Sequence, residues 1–196
     1  MKTFKIGIAG THSTGKTTFV TLLERTFAQL NVTTKRVRDL ASEARDRGFP
    51  ILREHTYEST LWIMTTGISR ELELATAADV VIVDRPVGDA LGYLGAALEH
   101  RGAVLPDGDR EVLETLTRHH SRSYDVLFKT DVDPTIAIDR TKDRDFDPAY
   151  RLLCAHHVDR VFSDLAIPHH ALGASDHDAS VARVVQAYYA RRGDRP

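Results

Sequence analysis

The sequence predicts an α/β fold in which helices cover both faces of a parallel sheet. Segments typical of buried strands alternate with amphipathic helical segments along the whole chain, and this alternation indicates parallel strands joined by crossover helices. Val80–Val83 is a run of four β-branched residues, as expected for a strand buried on both faces. The chain has 196 residues, of which 42% are hydrophobic. We therefore expect a single domain spanning residues 1–196 around such a sheet.

The first part of the chain is predicted to contain three strands, each followed by helical segments. A short apolar run indicates a strand, and apolar residues that recur every three or four positions indicate a helix. The predicted elements are a strand at Phe4–Ala9 closed by Gly10, a helix from Lys16 to about Leu30, a strand at Val32–Asp39, a short helix at Ala41–Arg47, a long helix carrying Leu61 to Ala75 on one face, and a strand at Val80–Val83 that ends in Asp84.

The alternation continues through the rest of the chain. Pro134 suits the first turn of a helix, because its fixed backbone angle is compatible with that position and its missing N–H is not needed there. The predicted elements are a helix with Val87 to Leu98, a loop at Arg101–Gly108, a helix at Glu111–His120, a strand at Tyr124–Lys129, a helix starting at Pro134, a charged and mobile surface segment at Asp139–Asp147, a helix with Val158 to Leu165, a strand at Ile167–Leu172, and a helix with Val181 to Tyr189.

Composition excludes several classes of protein. The formal net charge is −2, so there is no overall basic field of the kind that binds nucleic acid, and nucleic acid is not expected as a partner. Cys154 is the single cysteine, which excludes an internal disulfide and a multi-cysteine zinc site and fits a reducing cytoplasm. No apolar stretch approaches the length of a membrane span. We therefore expect a cytoplasmic protein that does not bind a membrane.

The segment Gly10–Thr17 matches the phosphate-binding pattern G-x-x-x-x-G-K-[ST] without a mismatch. The motif requires a buried strand before it and a helix after it, and both are predicted here. Glycines let the backbone curl so that its N–H groups point at phosphate oxygens, and the helix adds its own unpaired amides. Lys16 would contact the β- and γ-phosphates. The predicted nucleotide-binding residues are Gly10, Thr11, His12, Ser13, Thr14, Gly15, Lys16, Thr17 and Thr18.

Two residues are predicted to hold Mg²⁺. The Thr17 hydroxyl follows the phosphate-loop lysine, where it can ligate the metal. Asp84 ends the buried strand Val80–Val83, and a carboxylate at the carboxyl end of such a strand can hold Mg²⁺ directly or through water. An alternative is that Asp84 caps the next helix, since Pro86 suits a first helical turn. The two roles are compatible.

The residues around Asp84 favour phosphoryl transfer to a small molecule. A GTPase would carry [NT]-K-x-D to bind guanine, and the two nearest segments, Phe128–Asp131 and Thr141–Arg144, do not fit. A mechanical ATPase usually has an acidic residue after the strand-end aspartate, but Arg85 occupies that position. A guanidinium binds anionic oxygens in a bidentate manner, so Arg85 is a candidate for both catalysis and substrate binding.

At these positions the sequence resembles a known family. The phosphate loop, Asp39 with Glu43 and Arg45 after it, and the segment Asp84–Asp89 with Tyr93 are similar to the P-loop nucleoside and nucleotide kinases, in particular to nicotinamide riboside kinase-like ATPases. The resemblance implies the P-loop NTPase fold with a parallel five-stranded sheet. It also implies that ATP and Mg²⁺ are cofactors and that a small lid bearing arginines closes over the phosphates.

The resemblance also assigns roles on the acceptor side. Asp39 would accept the proton of the acceptor hydroxyl, although it also suits the N-cap of the helix Ala41–Arg47. Arg45 would bind the acceptor, or it is simply an exposed helical arginine. The lid is placed at about residues 139–147, where Arg140 and Arg144 would act on the phosphates; a solvated loop with local ion pairs is the alternative. Many nucleoside-binding members carry a glutamine on the long helix before the third strand, and this chain has none there.

The sequence therefore predicts an ATP- and Mg²⁺-dependent kinase for a small-molecule acceptor. A nucleoside, a nucleotide or a nucleoside-like metabolite is the expected acceptor. The competing hypothesis is a P-loop ATPase or nucleotide-dependent switch that has no small-molecule acceptor. The sequence leaves the oligomeric state open, with a homodimer as one option.

Overall fold

A five-stranded parallel sheet forms the centre of the fold, in the order β2-β3-β1-β4-β5. The computed structural model describes residues 2–11, 14–132 and 147–193. All four strand pairings are parallel, which confirms the predicted fold class. The strands are β1 (Phe4–Ala9), β2 (Thr34–Val37), β3 (Val80–Asp84), β4 (Val126–Thr130) and β5 (His170–Leu172).

Helices pack on both faces of the sheet. Side chains alternate along β1, so Ile6 and Ile8 contact the layer formed by the first and last helices, while Ala9 contacts the other layer. In the described part of the chain the helices are α1 (Lys16–Gln29), α2 (Ala41–Asp46), α3 (Tyr57–Ala75), α4 (Val87–Arg101), α5 (Asp107–Ser121), α6 (Pro148–Asp164) and α7 (His177–Arg192), with short 3-10 helices at Leu52–Glu54 and Ala174–Asp176.

Helix α4 lies unusually close to α6, and this contact places the start of α4 beside the sheet. A Cβ added at Gly92 would lie 2.5 Å from Val158 Cγ2, and one added at Gly88 would lie 2.9 Å from Phe162 Cε2. Both distances are shorter than real carbon–carbon contacts, so only glycine permits this approach. The first turns of α4 are thereby held next to the carboxyl ends of β1 and β3.

Several predicted boundaries were wrong, for two physical reasons. The strand predicted at Val32–Asp39 is only four residues long, because β2 is an edge strand whose register with β3 ends at Val37 and Val83. The other edge strand, β5, is likewise shorter than predicted, and β4 begins two residues later than predicted. Helix α5 begins at Asp107 instead of Glu111, since acidic residues favour a first helical turn even where no apolar residue marks it.

The predicted helix at Pro134 lies outside the described residues. Among the helices of the described ranges, each is too short or too polar to cross a lipid bilayer.

Candidate nucleotide and acceptor site

A cavity of about 770 Å³ opens at the carboxyl edge of the sheet. Its walls come from five parts of the chain: the phosphate loop with the start of α1, the end of β2 with the segment after it, the segment that precedes α3, helix α3, and the end of β3 with the start of α4. Ligands of open parallel α/β sheets bind at this edge, outside the carboxyl ends of the strands. The phosphate loop and the residues after β2 and β3 thus share one cavity.

The phosphate loop begins where β1 leaves the sheet. Gly10 has a φ of +124°, and a Cβ at this position would overlap the Thr130 side chain, so the turn requires glycine. Gly15 has a φ of +84° and forms the N-cap of α1. The Thr14 hydroxyl lies 2.7 Å from the Thr130 hydroxyl at the end of β4. The loop is therefore fixed to both β1 and β4.

Lys16 is buried inside the loop that precedes it. Its Nζ donates to the carbonyl oxygens of Gly10, at 2.7 Å, and of Thr11. Burial lowers the pKa of Lys16, and the charge of Arg85 lowers it further, while nearby carboxylates, Asp89 first among them, oppose both effects. A phosphate group beside this amine would stabilise its charged form, which is what a phosphate-binding lysine requires.

The structure does not show Asp84 capping the next helix. The N-cap of α4 is Pro86, and no side-chain hydrogen bond caps it, whereas Asp84 Oδ2 lies 2.5 Å from Arg36 Nη2. The capping alternative is therefore not found, and the Mg²⁺ role of Asp84 stays a prediction. Thr17 lines the same cavity with an exposed side chain.

The Asp84 carboxylate and the Thr17 hydroxyl are suitable ligands for a Mg²⁺ ion that is also bound by nucleotide phosphates, as in P-loop proteins. Mg²⁺ prefers oxygen ligands and is usually held by one or two protein groups together with substrate phosphates. The Asp84 carboxylate and the Thr17 hydroxyl supply such ligands in one cavity. Within the described ranges no group of three or more His, Cys, Asp or Glu side chains is placed to hold a metal ion.

Arg85 is held in one position by three contacts with two residues. Its Nε lies 2.6 Å from Asp39 Oδ2, its Nη1 donates to the Tyr93 hydroxyl at 3.1 Å, and its guanidinium carbon lies 5.2 Å from the centre of the Tyr93 ring. Burial by itself would lower the pKa of Arg85, but Asp39 and other acidic groups outweigh it and keep the pKa above its usual value. Arg85 is therefore a fixed cation in the wall of the cavity.

The Asp39 side chain contacts the start of α2 without being its N-cap, which is Leu40, and its role as proton acceptor stays a prediction. Its Oδ1 accepts the N–H of Ala41 at 3.0 Å, at the first residue of α2, and its Oδ2 pairs with Arg85. The residue lies two positions beyond the end of β2 and lines the cavity. The carboxylate is thus oriented by α2 on one side and by a cation on the other.

Thr18 lines the cavity, whereas Arg45 does not join this group. The Arg45 side chain is 41% exposed and pairs with Asp46, and it is absent from the described residues that line the cavity. His12, Ser13, Arg140 and Arg144 lie outside the described residues. Their roles stay predictions, as does the lid.

Three residues to which the sequence assigned no role also line the cavity: His55, Asp89 and Tyr93. His55 is buried, its Nδ1 lies 3.1 Å from Ser59 Oγ, and burial, assisted by Arg101, lowers its pKa to about 4. Nothing local distinguishes it from the other nine histidines of the chain. Asp89 and Tyr93 belong to the residues that carry the family resemblance, and their spacing of four residues from Arg85 and from each other is the signal that could have assigned them to the site.

A family model described as an AAA domain matches residues 5–179. The chain belongs to this AAA domain family. No curated protein sequence matches it.

Solved structures of kinase-like proteins share its fold. The structure of NadR protein in complex with NR aligns with a TM-score of 0.66 and 17% identity, covering 95% of this chain and 51% of that one. Deoxyadenosine kinase from M. mycoides with bound dATP aligns with a TM-score of 0.63 and 14% identity, covering 93% of this chain and 98% of the kinase. The chain spans about half the length of NadR. The predicted P-loop nucleoside kinase-like fold is confirmed.

Proposed function

We propose that the chain is a kinase that uses ATP and Mg²⁺ to phosphorylate a hydroxyl group of a small molecule, with a nucleoside, nucleotide or nucleoside-like metabolite as acceptor. The observation that carries the proposal is the shared cavity. It has the phosphate loop with Lys16 in one wall and the Asp39–Arg85 pair in another. Phosphoryl transfer consists mostly of positioning and charge stabilisation, and such a cavity supplies both.

The nucleotide side follows from the phosphate loop. The loop amides and Lys16 would bind the β- and γ-phosphates, and Thr17 and Asp84 would hold Mg²⁺ between them. Bound there, the metal would neutralise charge that develops on the phosphate oxygens. Arg36 pairs with Asp84 at 2.5 Å, so this arginine must share the carboxylate with the metal or release it.

The acceptor side follows from Asp39 and Arg85. A hydroxyl placed against Asp39 would transfer its proton to the carboxylate as its oxygen attacks the γ-phosphorus, and the bond to the bridging oxygen of ADP would break. Arg85 Nε keeps Asp39 oriented, and its charge would stabilise the transferring group. Two structural neighbours, NadR in complex with NR and deoxyadenosine kinase with bound dATP, support a nucleoside-like acceptor.

The cavity is large enough for such an acceptor. A volume of about 770 Å³ lies within the range of small-molecule sites. Beyond the charged groups, the wall is formed by apolar side chains of α3 and of the segment after β2, including Leu40, Ile63 and Met64. An apolar wall suits a flat ring system, while the polar end near Asp39 suits a hydroxyl.

The experiment is ADP release by the purified chain with ATP and Mg²⁺, alone and with panels of nucleosides and of monophosphates. A kinase turns over slowly alone and is strongly stimulated by one panel. Lys16→Ala is the control and should abolish the stimulation. Rapid ADP release that no panel member stimulates would contradict the proposal and favour the ATPase or switch.

A further inference from the structure

The carboxylate of Asp89 is fully buried beneath the phosphate loop. The residue is 1% exposed, and its Oδ1 and Oδ2 accept the N–H of Gly10 at 3.0 and 3.1 Å. Gly10 is the first residue after β1, so its amide points out of the strand ladder and is taken by a side chain of α4. The start of the phosphate loop is therefore fixed to α4 and not only to the sheet.

The same end of α4 also fixes the acceptor side. Tyr93 lies one helical turn beyond Asp89, so the two side chains are on the same face of α4. The Tyr93 hydroxyl accepts from Arg85 Nη1, and Arg85 pairs with Asp39. Two turns of one helix thus hold the first amide of the phosphate loop and the arginine that faces the acceptor.

Binding of nucleotide phosphates does not explain why a negatively charged residue stands at position 89. A buried carboxylate next to a phosphate-binding loop repels phosphates, and its burial is costly. Burial raises the pKa of Asp89, while the charges of Lys16 and Arg85 lower it. Beside these charge interactions, both carboxylate oxygens accept the N–H of Gly10, and this explains why a hydrogen-bond acceptor stands at this position.

We propose that Asp89 is a positioning residue: by holding the Gly10 amide against α4, it sets the phosphate loop at a fixed distance from Arg85, so that the γ-phosphate and the acceptor hydroxyl meet. This role rests on the proposed kinase function, because it requires both a nucleotide and an acceptor in the cavity. Transfer depends steeply on such distances, since a displacement of about 1 Å can cost about a hundredfold in rate.

The test compares Asp89→Ala with Asp89→Asn, because asparagine keeps an acceptor oxygen for the Gly10 amide and removes the charge. The control is Glu99→Gln, which neutralises an exposed carboxylate on the same helix, paired there with His157. Binding of a fluorescent ATP analogue is measured first, and then kcat and KM with an acceptor that stimulates the unmodified chain. Amide exchange at Gly10 and thermal unfolding are recorded for each variant.

We expect Asp89→Ala to lose about tenfold in analogue affinity, as for a lost buried hydrogen bond to a charged group, and to lose more in kcat than in KM for the acceptor. Asp89→Asn should keep most of the analogue affinity and most of kcat, and its Gly10 amide should stay protected from exchange. Glu99→Gln should match the unmodified chain in each measurement. A merely structural role would lower thermal stability in both Asp89 variants without this rescue.

Three outcomes would overturn the inference. The first is an Asp89→Ala variant that folds and works at the unmodified level, the second is an Asp89→Asn variant as impaired as the alanine variant, and the third is free exchange of the Gly10 amide in the unmodified chain. If Asp89→Ala does not fold, the asparagine variant and the Gly10 exchange decide alone. An unmodified chain that binds the analogue but phosphorylates nothing contradicts the kinase function and leaves the binding comparison as the test of Asp89.

Discussion

Protonation of His55 should destabilise the cavity wall as the pH falls. The folded protein holds the pKa of His55 at about 4, below the value of 6.5 expected in an unfolded chain, because burial disfavours the imidazolium. The folded state therefore binds fewer protons, so the stabilisation is fully present above pH 6.5 and is lost as the pH falls towards 4. At about 1.4 kcal/mol for each pH unit, the loss is about 3 kcal/mol.

Urea unfolding of the nucleotide-free protein between about pH 7.5 and about pH 4.5 measures this loss. The unmodified chain is compared with His55→Gln, which removes the titrating group, and with His119→Gln, which removes an exposed histidine. The free energy of unfolding of the unmodified chain should fall towards or below that of His55→Gln, by about 2 to 3 kcal/mol relative to it. A difference between these two proteins that does not change with pH would refute the reasoning.

Three further predictions concern the proposed chemistry. Lys16→Ala should lower turnover by about a hundredfold or more while the fold persists, as measured by ADP release and circular dichroism; near-normal turnover would contradict the phosphate-loop assignment. Asp84→Asn should raise the Mg²⁺ concentration for half-maximal rate, whereas Asp39→Asn should lower kcat by about a hundredfold or more with little change in that concentration; identical Mg²⁺ titrations would show that the two roles are divided wrongly. Arg144→Ala, at a position assigned from the sequence alone, should lower kcat far more than it weakens ATP binding, and equal kcat values in the variant and the unmodified chain would remove Arg144 from the catalytic groups.

The central sheet could be predicted because its signals are local. Val80–Val83 is buried on both faces, and its four consecutive β-branched residues predict this burial from the local sequence alone. The phosphate loop is also local, since its glycines, lysine and threonine are contiguous and its flanking strand and helix are adjacent. Both were found where the sequence placed them.

The edges of the sheet could not be predicted equally well. An edge strand extends only as far as its one partner allows, and this limit is set by a distant segment. The ladder between β2 and β3 runs from Thr34 opposite Val80 to Val37 opposite Val83. The carbonyl oxygen of Thr33 still accepts the N–H groups of Asp79 and Val80, but β3 begins at Val80, so the strand pairing starts at Thr34.

The contacts that complete the site could not be predicted either, because they also join residues that are distant in the sequence. Asp89 contacts Gly10, 79 positions away, and no pattern in the sequence pairs them. Lys5 shows this outside the site as well: it interrupts the apolar run of β1, yet it is buried because Glu71 lies 3.1 Å from its amine. The reactive residues could therefore be predicted from the sequence, but the long-range contacts between them could be seen only in the folded structure.

The destination of the γ-phosphate tests the central claim most directly. The purified chain is given ATP labelled in the γ-phosphate, Mg²⁺ and the acceptor panel, and the label is divided between inorganic phosphate and phosphorylated acceptor. The account predicts that nearly all of the label enters one class of acceptor, that it does so one for one with the ADP formed, and that Asp39→Asn slows this transfer. Label that enters only inorganic phosphate, at the same rate with and without acceptors, would contradict the account.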